Sequence, residues 1–237
     1  MSQINTSLSQ SSIELVIFDC DGVLIDSEIL SKRVLLAMFE DLGVSISDSY
    51  FDTYFLGQSF KSVTERVLID YSVHLTEQFR ASYLKALLQV FAEELMPTDG
   101  LKEMLSKLHI NSCVATSSSP QRVKFALETI GLTDFFGDRV ITSSEVKNGK
   151  PAPDIFLHAA SKLGVEPKNC LVIEDSQAGI QGAIAANMKV IKYAGASHLK
   201  HKGLLEADIA NNVKTIFEWQ QLFELLPSLS SSKPMAS

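Results

Sequence analysis

The sequence predicts an α/β chain in which a doubly wound parallel sheet carries a small helical domain inserted after its first strand. Three observations carry this reading. Short apolar runs ("LVIF", "LVIE", "VIKY") recur along the chain, and unbroken apolarity marks strands covered on both faces. Segments of helical period separate the later runs, as crossover connections between parallel strands require. Between residues 27 and 96 the alternation stops and only helical patterns remain.

The strands are expected at Glu14–Phe18, Ser112–Thr116, Arg139–Thr142, Cys170–Glu174 and Lys189–Tyr193. After the first, Ile29, Leu30, Val34, Leu35, Met38, Phe39 and Leu42 share one helix face, closed by Gly43 as a C-cap. Phe60, Val63, Val67, Leu68 and Tyr71 form a second stripe. Phe79, Tyr83, Leu87, Leu88, Phe91 and Leu95 form a third, started by Thr76. The aromatic residues of these stripes read as helix-packing core. Residues 27–96 are thus a helical cap on a discontinuous Rossmann-like core of residues 13–26 and 97–226. The linkers Val23–Ser27 and Glu94–Gly100 are expected to act as paired hinges.

Farther on, Ser119-Pro120 opens a helix lined by Val123, Leu127 and Ile130 and ended by Gly131. Asp154–Leu163 stops at Gly164, and Ala178–Ala186 ends near Asn187. The Ser-rich ends, 1–12 and 227–237, read as flexible tails. No internal repeat is visible.

The 237 residues carry a net charge of −7, with hydrophobic and charged fractions of 46% and 21%. These are fractions of an ordinary globular protein, and no overall basic field draws in nucleic acid or an anionic membrane. No apolar run reaches the roughly 18 residues of a membrane span. The start "MSQINTSLSQSS" lacks a basic segment followed by an apolar one, so the expected location is the cytoplasm. Cys20, Cys113 and Cys170 are odd in number, lack a C-x-x-C pair and sit in or beside apolar runs, as buried reduced thiols do. The chain is expected to be a monomer or a weak dimer.

In open α/β sheets, ligands bind beyond the carboxyl ends of the strands. There the first strand delivers Asp19 and Asp21, and the second Thr116 and Ser117. The segment after the third delivers Lys150 in "NGKPAPD", and the fourth delivers Glu174, Asp175 and Ser176. Carboxylates this close raise one another's pKa values unless a cation holds them. The donors are oxygens, with no histidine or thiolate pair at ligand spacing, which points to Mg²⁺ over zinc. A metal and one lysine also reverse the local sign, admitting a small anion to an acidic chain.

Asp19 can attack phosphorus as a carboxylate nucleophile. Asp21, two residues on, can protonate the leaving oxygen and then activate water. Gly22 lets the backbone turn close to a phosphate. Lys150 and Thr116 would neutralise and orient the equatorial oxygens. The expected phosphate-contacting set is Asp19, Cys20, Asp21, Gly22, Thr116, Ser117 and Lys150, joined from the cap by Lys61.

"FDCDGVLIDSE", "VATSSSP", "KPAPDIF" and "VIEDSQAG", in this order, resemble the four motifs of the haloacid dehalogenase-like hydrolases. The resemblance covers about residues 13–220 and is to the branch with a helical cap after the first motif. It implies that Asp19 is nucleophile and Mg²⁺ ligand, and that Asp21 is the acid/base and binds the metal through its carbonyl. It also implies that Thr116 and Lys150 hold phosphate. Glu174 and Asp175 would complete the metal site, Glu174 either as a ligand or in support. The implied reaction is phosphomonoester hydrolysis through an aspartyl-phosphate, and the implied partner is a small-molecule phosphate ester. Asp21 argues against the dehalogenase members, which do not keep the second aspartate, and the P-type ATPase relatives need membrane helices. "LLAMFEDLGV" and "DSE" look more like bacterial sugar-phosphate phosphatases, including the 6-phosphogluconate phosphatase type.

Two alternatives stand beside this. "KPAPDIF" and "EDSQAGIQ" also resemble a β-phosphoglucomutase-like isomerase, but Phe60 and Ser31 stand where its arginine and histidine are expected. A catalytically idle phosphate-binding regulatory module would lose Asp19 or Asp21, and both are present. In capped relatives a cap turn reaches over the active site. Here that turn is Leu56 to Lys61, with Lys61 placed to meet a substrate carboxylate or second anionic group. Ser27 and Glu28 are expected near the pocket, and His74, His109, His158, His198 and His201 on the solvated surface.

Overall fold

β1, Leu15–Phe18, is buried at all four positions, and its side chains divide between the two faces of the sheet. Val16 and Phe18 enter one apolar cluster, while Leu15 and Ile17 enter another. Both faces are covered, which is why the run shows no polar alternation. The computed structural model describes residues 12–200 and 213–230.

The other strands are β2 (Asn111–Thr116), β3 (Val140–Thr142), β4 (Cys170–Glu174), β5 (Lys189–Tyr193) and β6 (Lys214–Ile216). They form a parallel sheet in the order β3-β2-β1-β4-β5-β6. The expected strands are present within a residue or two of their predicted bounds. β6 was not expected, because a three-residue edge strand is too short to show a period. The strand order reverses at β1, between β2 and β4, and a crevice opens there at the carboxyl ends.

The inserted segment contains α1 (Glu28–Asp41), α2 (Asp48–Tyr54), α3 (Phe60–Tyr71) and α4 (Glu77–Glu94). Side chains of Ser47, Ser59 and Thr76 cap the starts of α2, α3 and α4. Gly43, at φ +73°, follows α1 where the chain needs the left-handed conformation. Phe39 stacks on Phe79 with centroids 5.8 Å apart, and Phe60 on Tyr83 at 5.6 Å. The aromatic stripes are therefore packing core, continuous with the Val16/Phe18 face of the sheet. α2 was missed because its aromatic and acidic residues ("DSYFDTY") give one buried contact, Phe51, and no stripe.

The two linkers pair with each other. Asp26 N donates to Met96 O at 3.0 Å and Thr98 N to Leu24 O at 3.1 Å. Thr98 Oγ1 donates to Val23 O at 2.7 Å and accepts from the Trp219 indole at 3.0 Å.

The remaining helices are α5 (Leu101–Lys107), α6 (Pro120–Thr129), α7 (Thr133–Phe136), α8 (Asp154–Lys162), α9 (Gln177–Ala185), α10 (Ser197–Lys200) and α11 (Gln220–Leu225). No described helix is long and apolar enough to cross a membrane. Cys20, Cys113 and Cys170 are free and buried, as expected.

The expected tail from Pro227 is a different matter. Pro227–Leu229 forms a 3-10 turn, Leu229 is fully buried, and Ser230 bridges to Leu108. Serine-rich composition concealed one apolar anchor. Leu229→Ala should therefore cost about 2–4 kcal/mol in a denaturant titration, the range for truncating a buried leucine. A frayed tail would leave the midpoint within about 0.5 kcal/mol.

Candidate active site

The register of the central strands builds the site. Phe18 pairs with Ile173, so Asp19 leaves β1 directly beside Glu174 at the end of β4. Lys150, on the segment after β3, reaches between them. Its Nζ lies 2.5 Å from Asp19 Oδ1, 2.6 Å from Glu174 Oε1 and 3.0 Å from the Ala115 carbonyl. Glu174 uses its other oxygen to accept from the backbone of Asp175 (3.0 Å), the backbone of Ser176 (2.9 Å) and the Ser176 hydroxyl (2.9 Å). A Cβ at position 179 would fall on the Glu174 carboxylate, so only glycine lets α9 begin this close.

Asp19, Glu174 and Asp175 are all buried and can each offer an oxygen within 4.8 Å of the others. Burial and the neighbouring acids push the Asp19 carboxyl well above the usual carboxylate range, against the pull of Lys150. Burial and Glu174 do the same to Asp175. Were all three ionised, the Lys150 ammonium alone would leave two of their negative charges uncompensated. An all-oxygen set with that deficit fits a hard divalent cation.

Asp21 faces a different environment. Its carboxylate accepts from Ser27 Oγ (2.6 Å), Ser118 Oγ (2.6 Å) and Arg122 Nη2 (2.5 Å). Burial raises this carboxyl, but the Arg122 guanidinium and the hydroxyl donors outweigh burial and hold it below its ordinary value. Arg122 also donates to Ser31 Oγ at 3.0 Å and lies over the Phe91 ring, 5.4 Å from its centroid. Sequence reasoning missed Arg122. The available signal was a cation in the first turn of α6, where the helix dipole opposes it.

The sequence profile of the haloacid dehalogenase-like hydrolases matches residues 13–187. The chain belongs to that family. It is 28% identical over 191 residues to the 6-phosphogluconate phosphatase of Escherichia coli K12, covering 80% of this chain and 86% of that protein. It is 30% identical over 211 residues to a phosphorylated carbohydrates phosphatase of Thermotoga maritima, covering 85% and 94%. A crystal structure of a haloacid dehalogenase-like protein of unknown function from Agrobacterium tumefaciens superposes with a TM-score of 0.77 at 32% identity, covering 92% and 99%.

In this family member the cap contributes Gly57, Gln58, Ser59 and Phe60 to the pocket that holds Asp19, Asp21, Thr116, Ser117 and Lys150. A Cβ on Gly57 would meet Ser176 Cβ at 3.1 Å, so the cap turn lies directly against the core rim. Glu28 lines the same pocket, and Ser27 serves it through Asp21.

Other expectations are corrected. Lys61 does not reach the pocket: its side chain is 86% exposed, 3.9 Å from Glu65, because α3 turns that position outward. Among the described residues the pocket is lined by two cations, Lys150 and Arg122. Cys20 and Gly22 are buried and do not line the pocket. Cys20 offers its carbonyl to the turn instead, accepting from Leu24 N at 2.9 Å. The Asp21 carboxylate is turned away from the Asp19, Glu174 and Asp175 cluster, which leaves its backbone carbonyl as the atom the resemblance assigns to the metal. His198 is not solvated: it is buried, with Nε2 3.1 Å from Asp175 Oδ2. His201 lies outside the described residues.

Burial, then the Asp21 charge, raises the Glu28 carboxyl from 4.5 to about 7, with His198 opposing. A raised carboxyl is protonated more readily in the fold than in the unfolded chain. Glu28 therefore costs nothing below pH 4.5, and its ionisation destabilises the fold progressively as pH rises to about 7. Glu28→Gln should remove that loss. In paired denaturation curves its advantage over wild type should grow from near zero at pH 4.5 to on the order of 3 kcal/mol at pH 8.

Proposed function

We propose that the chain is a Mg²⁺-dependent phosphomonoester hydrolase for a small sugar phosphate, working through an aspartyl-phosphate on Asp19. The observation that carries this reading is Lys150 fixed between Asp19 and Glu174 beside Asp175, with Asp21 held separately at the same rim. A Mg²⁺ held by Asp19, Asp175, the Asp21 carbonyl and, directly or through support, Glu174 would neutralise phosphoryl charge.

The protein's own groups divide the remaining work. An oxygen of Asp19 attacks phosphorus as the bond to the leaving oxygen breaks. Lys150 and the strand-end amides and hydroxyls around Thr116 and Ser117 balance charge on the equatorial oxygens. Asp21 gives a proton to the departing alcohol. The phosphate dianion brought beside it raises its proton affinity for that step. Asp21 then takes a proton from water as the water attacks phosphorus, releasing phosphate and restoring Asp19. The three donors around Asp21 favour its ionised form, which this second step requires.

Gln58, Ser59 and Glu28 supply hydrogen-bonding groups on the cap side, and Phe60 supplies a ring face, a lining suited to a hydroxylated carbon chain. The sugar phosphatases among the relatives support the same substrate class, with 6-phosphogluconate as a candidate. A carboxylate on such a substrate would meet Arg122.

The test is phosphate release from 6-phosphogluconate, hexose and pentose phosphates, phosphoglycolate and β-glucose 1-phosphate, with and without Mg²⁺. Release should require Mg²⁺ and fall at least 10³-fold in Asp19→Asn, consistent with loss of a covalent nucleophile. Conversion of β-glucose 1-phosphate to glucose 6-phosphate without net release would replace hydrolysis by the mutase reading. Neither activity would leave a binding module.

A further inference from the structure

One four-residue turn, α10, makes polar contacts to three places that the reaction scheme treats separately. Ser197 donates from its backbone N (3.2 Å) and its hydroxyl (2.7 Å) to the Asp26 carboxylate in the first linker. Lys200 Nζ lies 2.7 Å from Asp99 Oδ2 in the second linker. Between them, buried His198 places Nε2 3.1 Å from Asp175 Oδ2. A Cβ on Gly22 would strike both the Asp175 carboxylate and the His198 ring, so glycine at this bend lets the imidazole and carboxylate close together.

The three contacts differ in weight. Lys200 and Asp99 are exposed and contribute little alone. The Asp26–Ser197 contact is partly buried and fixes the linker where it enters α1. The His198–Asp175 contact is buried on both sides, so water competes for it far less than for the other two. An imidazole N–H held against a ligand carboxylate fixes that carboxylate's orientation. The two linkers are also joined to each other through Thr98 and Val23, with the indole of Trp219 donating to the same Thr98 hydroxyl.

We propose that α10 is a clasp coupling the cap hinge to the metal site, with His198 as the residue that positions Asp175. This rests on the metal-dependent reading above and adds a prediction of its own. If metal binding at Asp175 and closure at the hinge are coupled, each must favour the other by the same factor.

The test uses the full chain and Mg²⁺ alone, without substrate. Calorimetry gives the Mg²⁺ affinity, and hydrogen exchange reads the amides of residues 23–27 and 95–100. In wild type, Mg²⁺ should slow exchange in both linkers. His198→Ala should weaken Mg²⁺ about tenfold or more and abolish the slowing even at saturating Mg²⁺. His198→Gln, which keeps a donor, should recover part of both. Should His198→Ala fail to fold, Ser197→Ala carries the test: it touches no proposed ligand, yet should weaken Mg²⁺ measurably and blunt the linker response. Wild-type affinity and wild-type linker protection in these variants would overturn the clasp while leaving the phosphatase reading intact. A wild-type protein that binds no Mg²⁺ would instead overturn the metal-dependent reading, and the clasp with it.

Discussion

A single ammonium between two carboxylates is the constraint on which the rest of the site depends. Parallel pairing of β1 with β4 brings Asp19 and Glu174 out of adjacent strands at the same level. Neighbouring strands lie about 4.8 Å apart, so the two acids cannot avoid each other. Lys150 answers that repulsion from a third segment, 131 residues along the chain from Asp19. It does so while almost wholly buried, with its own proton held more tightly than usual by the two acids, against the cost of burial. Breaking such an arrangement leaves uncompensated buried charge, typically a loss of about 3–5 kcal/mol.

A single residue, Cys20, then separates two carboxyls pushed in opposite directions. Asp19 sits among acids in a buried corner and is raised; Asp21 sits among donors and is lowered. In the proposed reaction a cation held at Asp19 would draw that carboxyl back to its ionised, nucleophilic form, while the donors around Asp21 keep it ready to take a proton from water. The donors that make the difference come from three elements: Ser27 from the linker, Ser118 from the β2–α6 turn and Arg122 from α6. Arg122 also touches Ser31 of α1 and the ring of Phe91 in α4, so the environment of Asp21 depends on where the cap lies.

Features set by local chain geometry were legible in the sequence. "LVIF" and "LVIE" show strands buried on both faces, and the polar residue that follows each run lies at the rim by construction. Asp19, Thr116, Glu174 and Asp175 were found this way, and Lys150 by the motif around it. Features set by tertiary direction were not legible. Lys61 and Phe60 are adjacent on α3, yet only Phe60 faces the pocket, because the helix phase at that turn follows from cap packing. His198 looks like any surface histidine until Gly22 and Asp175 are placed against it. Leu229 is one apolar residue in a serine-rich end, too little for a pattern and enough for an anchor.

The proposal that Asp19 takes up the phosphoryl group is open to direct chemical trapping. Acyl phosphates are reduced by borohydride, so quenching the enzyme during turnover of a phosphorylated sugar with Mg²⁺ should convert an aspartyl-phosphate to homoserine. The expected result is homoserine at position 19, found by peptide mass spectrometry and absent without substrate. Turnover with an unmodified Asp19, or with the label on another carboxylate, would contradict the role given to the strand-end aspartate and to the lysine that holds it.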